Sequence, residues 1–332
     1  MGIKVAIMGA TGAVGTELLS ILAERKFPVS ELRLLASARS AGKTLTYQGE
    51  TIKVEELTHD SFKGIELVLA SAGGKLSKEF APSAVKAGAV VVDNTSHFRM
   101  VDGVPLVIPE INPEDIAKHQ GIIANPNCST IIMALPLFPL HRRFGVKRVV
   151  AATYQAASGA GAVAMDELVK ETAASIRGES FQRTVIPQPY AFNLFPHNSA
   201  MTDNGYCEEE LKMVKETRKI FHDNDIRVTA TCVRVPVLRA HSEALNIELE
   251  RDATVEEIYT LLRGAEGVEV FEDRAKNRWP MPLDVSGKDP VMVGRVRKDL
   301  SQDKTFDLWV VGDQIRKGAA LNAVQIAERL YR

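Results

Sequence analysis

A glycine-rich turn near the start of the chain constrains the fold more than any other stretch. A strand-like run at residues 4–8 leads into Gly9, Gly12 and Gly15, and a helix is predicted at residues 16–25. A strand, a glycine turn and a helix form the entry to a dinucleotide-binding fold, because glycine lets a phosphate approach the helix N-terminus. Similar turns also occur in doubly wound folds that bind no dinucleotide, so the turn by itself leaves both readings open.

The first half of the chain alternates between strands and helices. Strands are predicted at residues 31–36, 65–70, 89–93 and 122–124, and a helix at residues 76–87. This alternation predicts a Rossmann-type, doubly wound parallel sheet of the α/β class.

The second half has a different pattern. Strands with mixed alternation are predicted at residues 146–154, 227–235, 242–249, 291–297 and 305–311. They favour a second α+β domain with an antiparallel or mixed sheet. An amphipathic stretch at the end of the chain is expected to return to the first domain. We therefore assign residues 1–127 with 315–332 to a cofactor-binding domain and residues 128–314 to a catalytic and dimerisation domain.

Composition excludes several classes of protein. The chain has 332 residues and a formal net charge of -1, so its total charge gives no support for binding nucleic acid. Three widely spaced cysteines argue against a disulfide framework, and no cluster of Cys and His indicates a metal site. No apolar run approaches the roughly 20 residues that cross a bilayer. We expect a cytoplasmic protein that acts on small molecules.

The end of the second predicted strand distinguishes between two cofactors. An NAD site would place an acid there to bind the ribose 2′-hydroxyl, but the sequence has Arg39 and Ser40 instead. A cation and a hydroxyl suit a 2′-phosphate, which favours NADP. The alternative is that Arg39 is an ordinary solvated loop charge.

Cys128 lies between an apolar run and a predicted helix, after the turn Asn125-Pro126-Asn127. A thiol at a helix N-terminus is favoured as a thiolate and therefore as a nucleophile. The alternative is a small buried residue at a strand–helix junction.

Downstream residues supply groups that such a thiol would need. His241 is a candidate base, and Arg234 lies seven residues before it. Glu209 and Lys212 share one face of a predicted helix, where they form either a surface ion pair or a pair of ligand contacts. A lone histidine or arginine is also commonly structural or exposed.

Several motifs, in order along nearly the whole chain, resemble aspartate-semialdehyde dehydrogenases. They are Gly9-Ala10-Thr11-Gly12-Ala13-Val14-Gly15, Asn125-Pro126-Asn127-Cys128-Ser129-Thr130, Thr153-Tyr154-Gln155-Ala156-Ala157-Ser158-Gly159, the stretch from Arg234 to His241, and Leu321-Asn322-Ala323-Val324-Gln325. The resemblance implies an NADP-dependent, phosphorylating aldehyde dehydrogenase of amino-acid biosynthesis, expected to be a homodimer.

The resemblance also implies roles for individual residues. Cys128 would be the acyl-thioester nucleophile, His241 the general acid/base, and Gln155 the residue that orients the substrate. Arg234 would bind the substrate α-carboxylate and Glu209 its α-ammonium group. Phosphate would be bound by Arg99 and Lys212. The implied cofactor contacts are Gly9, Thr11, Gly12, Ala13 and Val14 at the pyrophosphate, Arg39 and Ser40 at the 2′-phosphate, and Ser158, Gly159, Pro187 and Gln314 at the nicotinamide.

Two alternatives stay open at this point. A reductase for another acyl phosphate, such as acetylglutamyl phosphate, would share much of the chemistry, although the sequence of its cysteine turn differs. A catalytically silent relative would be expected to lack the thiol or the histidine, and both Cys128 and His241 are present.

Overall fold

The computed structural model describes residues 2–331, and the chain divides into two compact units. One unit comprises the residues up to Asn127 together with those from Ala319 onward, and the other spans Cys128–Gly318. None of the helices within residues 2–331 is long and apolar enough to cross a membrane.

The first unit is built on a seven-stranded sheet. Its strands are β1 (Ile3–Met8), β2 (Val29–Ala36), β3 (Thr44–Tyr47), β4 (Glu50–Glu56), β5 (Leu67–Ala70), β6 (Val90–Asp93) and β7 (Ile122–Ala124), in the order β3-β4-β2-β1-β5-β6-β7. Helix α1 spans Ala13–Glu24 and helix α2 spans Gly74–Lys86. The strands from β4 to β7 pair in parallel, which confirms the predicted doubly wound sheet.

One edge of this sheet was not predicted. Strand β3 pairs with β4 in antiparallel fashion, so the sheet is parallel except at this edge. Residues 44–56 mix polar and apolar side chains, and β4 has only Val54 fully inside the core. A strand with so little buried surface is difficult to recognise from apolar runs.

The glycine turn takes the shape that its sequence requires. Gly9 has a φ of +91°, and a side chain there would lie 2.6 Å from the carbonyl oxygen of Ser71. Only glycine accommodates both the left-handed backbone and this close approach. Helix α1 begins at Ala13, three residues earlier than predicted, and so its N-terminus follows the turn directly.

The second unit contains a mixed seven-stranded sheet. Its strands are β8 (Val146–Gln155), β9 (Phe195–Pro196), β10 (Arg227–Arg234), β11 (His241–Leu249), β12 (Val268–Val270), β13 (Val291–Lys298) and β14 (Thr305–Gly312), in the order β12-β13-β14-β11-β8-β10-β9. Its helices are α3 (Cys128–Phe144), α4 (Ala162–Ile176), α5 (Glu208–Phe221), α6 (Val255–Arg263) and α7 (Pro282–Val285). Strand β8 pairs in parallel with β10 and antiparallel with β11, so the expected mixed sheet is confirmed.

The irregular segment at residues 181–201 is attached to helix α4 by a buried carboxylate. Glu167 accepts hydrogen bonds from the backbone N–H groups of Thr184 (2.7 Å), Val185 (3.0 Å) and Ile186 (3.0 Å). These bonds lower the pKa of Glu167 against the opposing effect of its burial. A segment without regular structure is thereby given a fixed course.

The last helix, α8 (Leu321–Tyr331), belongs to the first unit. Its apolar side chains share a core with those of β1 and α1, including Ile7, Leu22 and Val324. The terminal amphipathic stretch therefore packs with the first half of the chain.

Candidate active site

Three polar side chains from distant parts of the sequence meet at one edge of the second sheet. Gln155 ends β8 and pairs in register with Arg234, which ends β10. His241 begins β11 and lies one residue before Ser242, which pairs with Tyr154. Gln155, Arg234 and His241 are each at most 5% exposed. Strand pairing alone therefore brings together residues that are up to 86 positions apart.

Gln155 connects this edge to two helices. Its Nε2 donates hydrogen bonds to Ser129 Oγ (2.6 Å) and to Glu209 Oε1 (3.3 Å). Ser129 lies in the first turn of α3 and Glu209 in the first turn of α5. The amide is therefore held between the residue after Cys128 and a buried carboxylate.

Cys128 is the first residue of α3, as the sequence predicted. Its side chain is partly exposed, whereas Cys207 and Cys232 are buried, and all three are thiols. The N-terminus of a helix favours negative charge on a sulfur placed there. A side chain at Gly318 would place its Cβ 2.9 Å from that of Cys128, so the backbone of Gly318 lies close to Cys128.

Glu209 and Lys212 form an ion pair on one face of α5. Their Oε2 and Nζ atoms are 2.9 Å apart, with Lys212 28% exposed and Glu209 8% exposed at the side chain. The predicted shared face is thus observed. The pair places a buried acid toward Gln155 and a partly exposed cation beside it.

Arg234 is a buried cation with an orphaned donor. Its Nη1 donates to the carbonyl oxygen of Ala156 (3.2 Å), while its Nε is buried and has no hydrogen-bond partner within the described residues. A buried, unpaired N–H is costly unless a ligand or water completes it. Such a group is suited to bind an anionic part of a ligand.

The imidazole of His241 is held in one tautomer by the backbone. The N–H of Ala156 donates to Nδ1 at 3.0 Å, so the neutral ring carries its proton on Nε2. Burial, and after it the nearby Arg234 cation, lower the pKa of His241 from 6.5 to about 3, while Glu209 acts in the opposite direction. The ring is therefore neutral at physiological pH and presents a donor.

The loop after β8 passes close to these side chains. A Cβ at Gly159 would lie 2.9 Å from Arg234 Nη1 and 3.2 Å from the His241 ring. Next to it, Ser158 is buried and its hydroxyl accepts a hydrogen bond from Gln314 Nε2. Three of the four residues assigned to the nicotinamide side thus adjoin the polar edge; Pro187 is exposed, in the segment held by Glu167.

Sequence reasoning missed His197, which follows β9 in the irregular segment. Its Nδ1 accepts a hydrogen bond from the N–H of Ser199 (3.1 Å), and the Ser199 hydroxyl in turn accepts one from the N–H of Glu209 (3.1 Å). Burial and the nearby Arg234 cation lower the pKa of His197 to about 4. Neither a motif nor a periodic pattern marks this histidine, since only the folded course of the segment brings it near Glu209.

In the first unit, the two turns expected to bind the cofactor lie side by side. Thr11 Oγ1 donates to Ser40 Oγ at 3.4 Å, and Arg39 is exposed in the short turn Ala38–Ser40. The first turn of α1 contains no acidic residue, so its N-terminus stays favourable for an anion.

Arg99 is also in the first unit and is 7% exposed. Its Nε donates to the carbonyl oxygen of Asn125 (2.9 Å) and its Nη2 to that of Asn94 (3.0 Å). These contacts fix the loops that follow β6 and β7. The side chain predicted to bind phosphate therefore also has a role in holding the turn that precedes Cys128.

The chain matches two family descriptions in succession. Residues 4–119 match "Semialdehyde dehydrogenase, NAD binding domain", and residues 137–317 match "Semialdehyde dehydrogenase, dimerisation domain". An aspartate-semialdehyde dehydrogenase from Synechocystis is 61% identical over 328 residues, covering 99% of this chain and 97% of that one.

Solved structures agree with the sequence matches. The aspartate semialdehyde dehydrogenase II of Vibrio cholerae, solved in complex with ASA, has a TM-score of 0.97 and 47% identity, covering 99% of this chain and 98% of that one. The Candida albicans aspartate semialdehyde dehydrogenase with NADP has a TM-score of 0.76 and 26% identity, covering 99% of this chain and 98% of that one. The resemblance seen in the motifs is thereby confirmed, and the chain belongs to the aspartate-semialdehyde dehydrogenase family of oxidoreductases.

Proposed function

We propose that this chain interconverts L-aspartate 4-semialdehyde, phosphate and NADP⁺ with L-aspartyl 4-phosphate, NADPH and a proton. In the reductive direction the product would feed lysine, threonine and methionine biosynthesis. The observation that carries the proposal is the buried edge of Gln155, Arg234 and His241, hydrogen-bonded to the first turn of the helix that Cys128 begins. This arrangement combines a nucleophile, an oxyanion donor and an anion-binding cation.

Cys128 is the nucleophile in this proposal. As a thiolate its sulfur adds to the acyl carbon of aspartyl phosphate, the carbon–oxygen bond to phosphate breaks, and a thioester remains. Gln155, held between Ser129 and Glu209, orients the carbonyl beside the sulfur. A fixed amide is effective because misplacing a reacting group by about 1 Å can cost about a hundredfold in rate.

His241 stabilises the negative charge that develops on the carbonyl oxygen. With Nδ1 accepting the Ala156 N–H, the proton on Nε2 is available as a hydrogen-bond donor. Accepting a proton at Nε2 would require the ring to place its other proton on Nδ1, against the same backbone N–H. The geometry therefore supports His241 as a hydrogen-bond donor to the carbonyl oxygen more strongly than as the base that deprotonates the Cys128 thiol.

Arg234 and Glu209 distinguish the two ends of the substrate amino acid. We assign the α-carboxylate to Arg234, whose buried Nε lacks a protein partner within residues 2–331. The α-ammonium group is assigned to Glu209, whose carboxylate already accepts donors from Gln155 and Lys212. Lys212 and Arg99 supply positive charge for the phosphate.

The residues of the first unit fit a 2′-phosphorylated dinucleotide. Gly9 allows the tight turn, since a side chain there would meet the carbonyl oxygen of Ser71, and Gly12, Ala13 and Val14 form the start of α1. Arg39 and Ser40 occupy the position where an NAD site would have an acid. When bound, NADPH supplies hydride to the thioester carbon. Ser158, Gly159, Pro187 and Gln314 are proposed to line the nicotinamide side.

The assembly and location follow the family. We propose a cytoplasmic homodimer, supported by the match of residues 137–317 to a dimerisation domain. Residues 1–127 with 315–332 are proposed as the NADP-binding domain, and residues 128–314 as the catalytic and dimerisation domain. Sedimentation of the purified protein would test the subunit count.

A phosphate-dependence assay tests the reaction. NADPH formation from aspartate semialdehyde should require phosphate, or arsenate in its place, and turnover without either would overturn the proposal. Cys128→Ala should abolish turnover while NADP binding persists; an active Cys128→Ala protein would remove the nucleophile assignment. Cys207→Ala, which removes a buried thiol at the N-cap of α5, is the matched control.

A further inference from the structure

A strained residue directly precedes His241. Ala240 has a φ of +76°, a left-handed conformation that a side chain disfavours. It is 1% exposed, whereas the other non-glycine residues with positive φ in the described chain are exposed. An exposed residue can adopt such a conformation in a tight turn without special contacts, but a buried residue must be held in it by its surroundings.

The side chain of Gln314 holds this residue. Its Oε1 accepts a hydrogen bond from the N–H of Ala240 at 2.8 Å, and its Nε2 donates to the hydroxyl of Ser158. Gln314 is 3% exposed. Its neighbour Asp313 forms an ion pair of 2.7 Å with Arg239, so two successive residues before His241 are bound to two successive residues after β14.

The same contacts fix the imidazole. The N–H groups of Ala157 and Ser158 donate to the carbonyl oxygens of Val237 and Leu238, and the N–H of Ala156 donates to His241 Nδ1. The loops at residues 156–158 and 237–241 are thus joined along their length. Gln314 completes the connection, because its amide contacts one residue of each loop.

We propose that Gln314 is a positioning residue for His241: its amide holds Ala240 in the left-handed conformation and ties it to Ser158, which fixes the imidazole against Ala156. The inference rests on the proposed function, in which His241 donates to the oxyanion. It goes beyond a role for Gln314 in lining the cofactor, since both ends of its amide are engaged by the protein itself.

The test begins with Gln314→Ala. We expect kcat to fall by about tenfold to a hundredfold, as for other misplaced catalytic groups, while KM for NADP changes by less than about threefold. A fall in NADP affinity with unchanged kcat would overturn the inference, because it would make Gln314 a cofactor contact alone. Gln120→Ala, at an exposed glutamine, is the matched control.

A rescue experiment separates positioning from general stability. In Gln314→Ala, adding Ala240→Gly should restore at least about threefold of the lost kcat, because glycine adopts a positive φ without a tether. Lys304→Gly relieves similar strain at an exposed residue with a φ of +53°. Equal rescue by Lys304→Gly would show that only fold stability had changed and would overturn the inference.

A titration of His241 gives a readout that needs no activity. Burial holds the pKa of this ring low, with Arg234 and His197 acting in the same direction and Glu209 opposing them. Loosening the ring in Gln314→Ala should raise its pKa toward 6.5, and Ala240→Gly should reverse the change, as followed by imidazole NMR. An unchanged titration would contradict the positioning role, whereas an inactive wild-type protein with the expected titrations would count against the proposed function only.

Discussion

Gln155 donates a hydrogen bond of 2.6 Å to the hydroxyl of Ser129, the residue that follows Cys128 in α3. This contact fixes the amide that is proposed to orient the substrate to the helix that carries the thiol. Gln155→Ala should lower kcat by about a hundredfold, because the carbonyl loses its fixed partner. Ser129→Ala should have a smaller effect, since Gln155 keeps its bond to Glu209. Steady-state kinetics on both variants tests the order, and an equal or larger loss for Ser129→Ala would contradict it.

Gly159→Ala should reduce activity with little loss of fold stability. Its added Cβ would lie 2.9 Å from Arg234 Nη1 and 3.2 Å from the His241 ring, close enough to displace both. We expect kcat/KM to fall by about tenfold or more, because both groups are proposed to contact the substrate. Gly264→Ala is the matched control, since its Cβ makes only ordinary contacts at 3.7 Å. Similar kinetics for the two variants would argue against the assigned positions.

Substitutions of Glu209 and of Lys212 should raise KM for different substrates. Glu209→Gln removes the charge proposed to face the α-ammonium group, so KM for aspartate semialdehyde should rise about tenfold or more. Lys212→Met should raise KM for phosphate instead. Comparing both constants in both variants is the measurement. If each variant raised both constants equally, the pair would act only as a structural ion pair.

Arg39→Ala should weaken NADP binding far more than NAD binding. Arg39 is exposed, so its side chain has room to contact a 2′-phosphate. It lies next to Ser40, whose hydroxyl accepts a hydrogen bond from Thr11. Loss of one charge-assisted contact should cost NADP about tenfold or more in affinity. Titration with each cofactor measures the ratio; equal losses would remove the 2′-phosphate assignment.

Glu243→Gln should stabilise the protein, increasingly so at higher pH. Glu243 is fully buried, both of its carboxylate oxygens lack a hydrogen-bond partner within residues 2–331, and burial raises its pKa well above 4.5. Above pH 4.5 the unfolded state releases a proton that the folded state keeps. The stability of the wild-type protein therefore falls as pH rises from 4.5 toward the raised pKa of Glu243 in the folded state. Relative to wild type, the variant should gain about 1.4 kcal/mol of unfolding free energy per pH unit.

Denaturant unfolding at pH 5, 6 and 7 measures this difference. A difference in unfolding free energy between the variant and wild type that stays constant with pH would contradict a neutral Glu243 in the folded state. Glu266→Gln, at an exposed acid, serves as the control.

Much of the fold was predictable because local patterns record it. Apolar runs marked β1 and β7, and the glycine turn marked the start of α1. The β3–β4 edge was missed because so few of its side chains are buried. Helix α6 was also missed, although Thr254 and Glu257 form a capping box that a search for helix N-termini would have recognised.

Sequence alone determined which chemical groups the chain possesses: a thiol before a helix, a glycine turn without a following acid, and motifs that resemble one family. Their order along the chain carries this information, because strands, turns and helix caps depend on neighbouring residues. Only the tertiary structure decided the tautomer of His241, the strained backbone of Ala240 and the nearness of His197 to Glu209. These depend on strand register and on contacts between residues far apart in sequence, which no local pattern encodes.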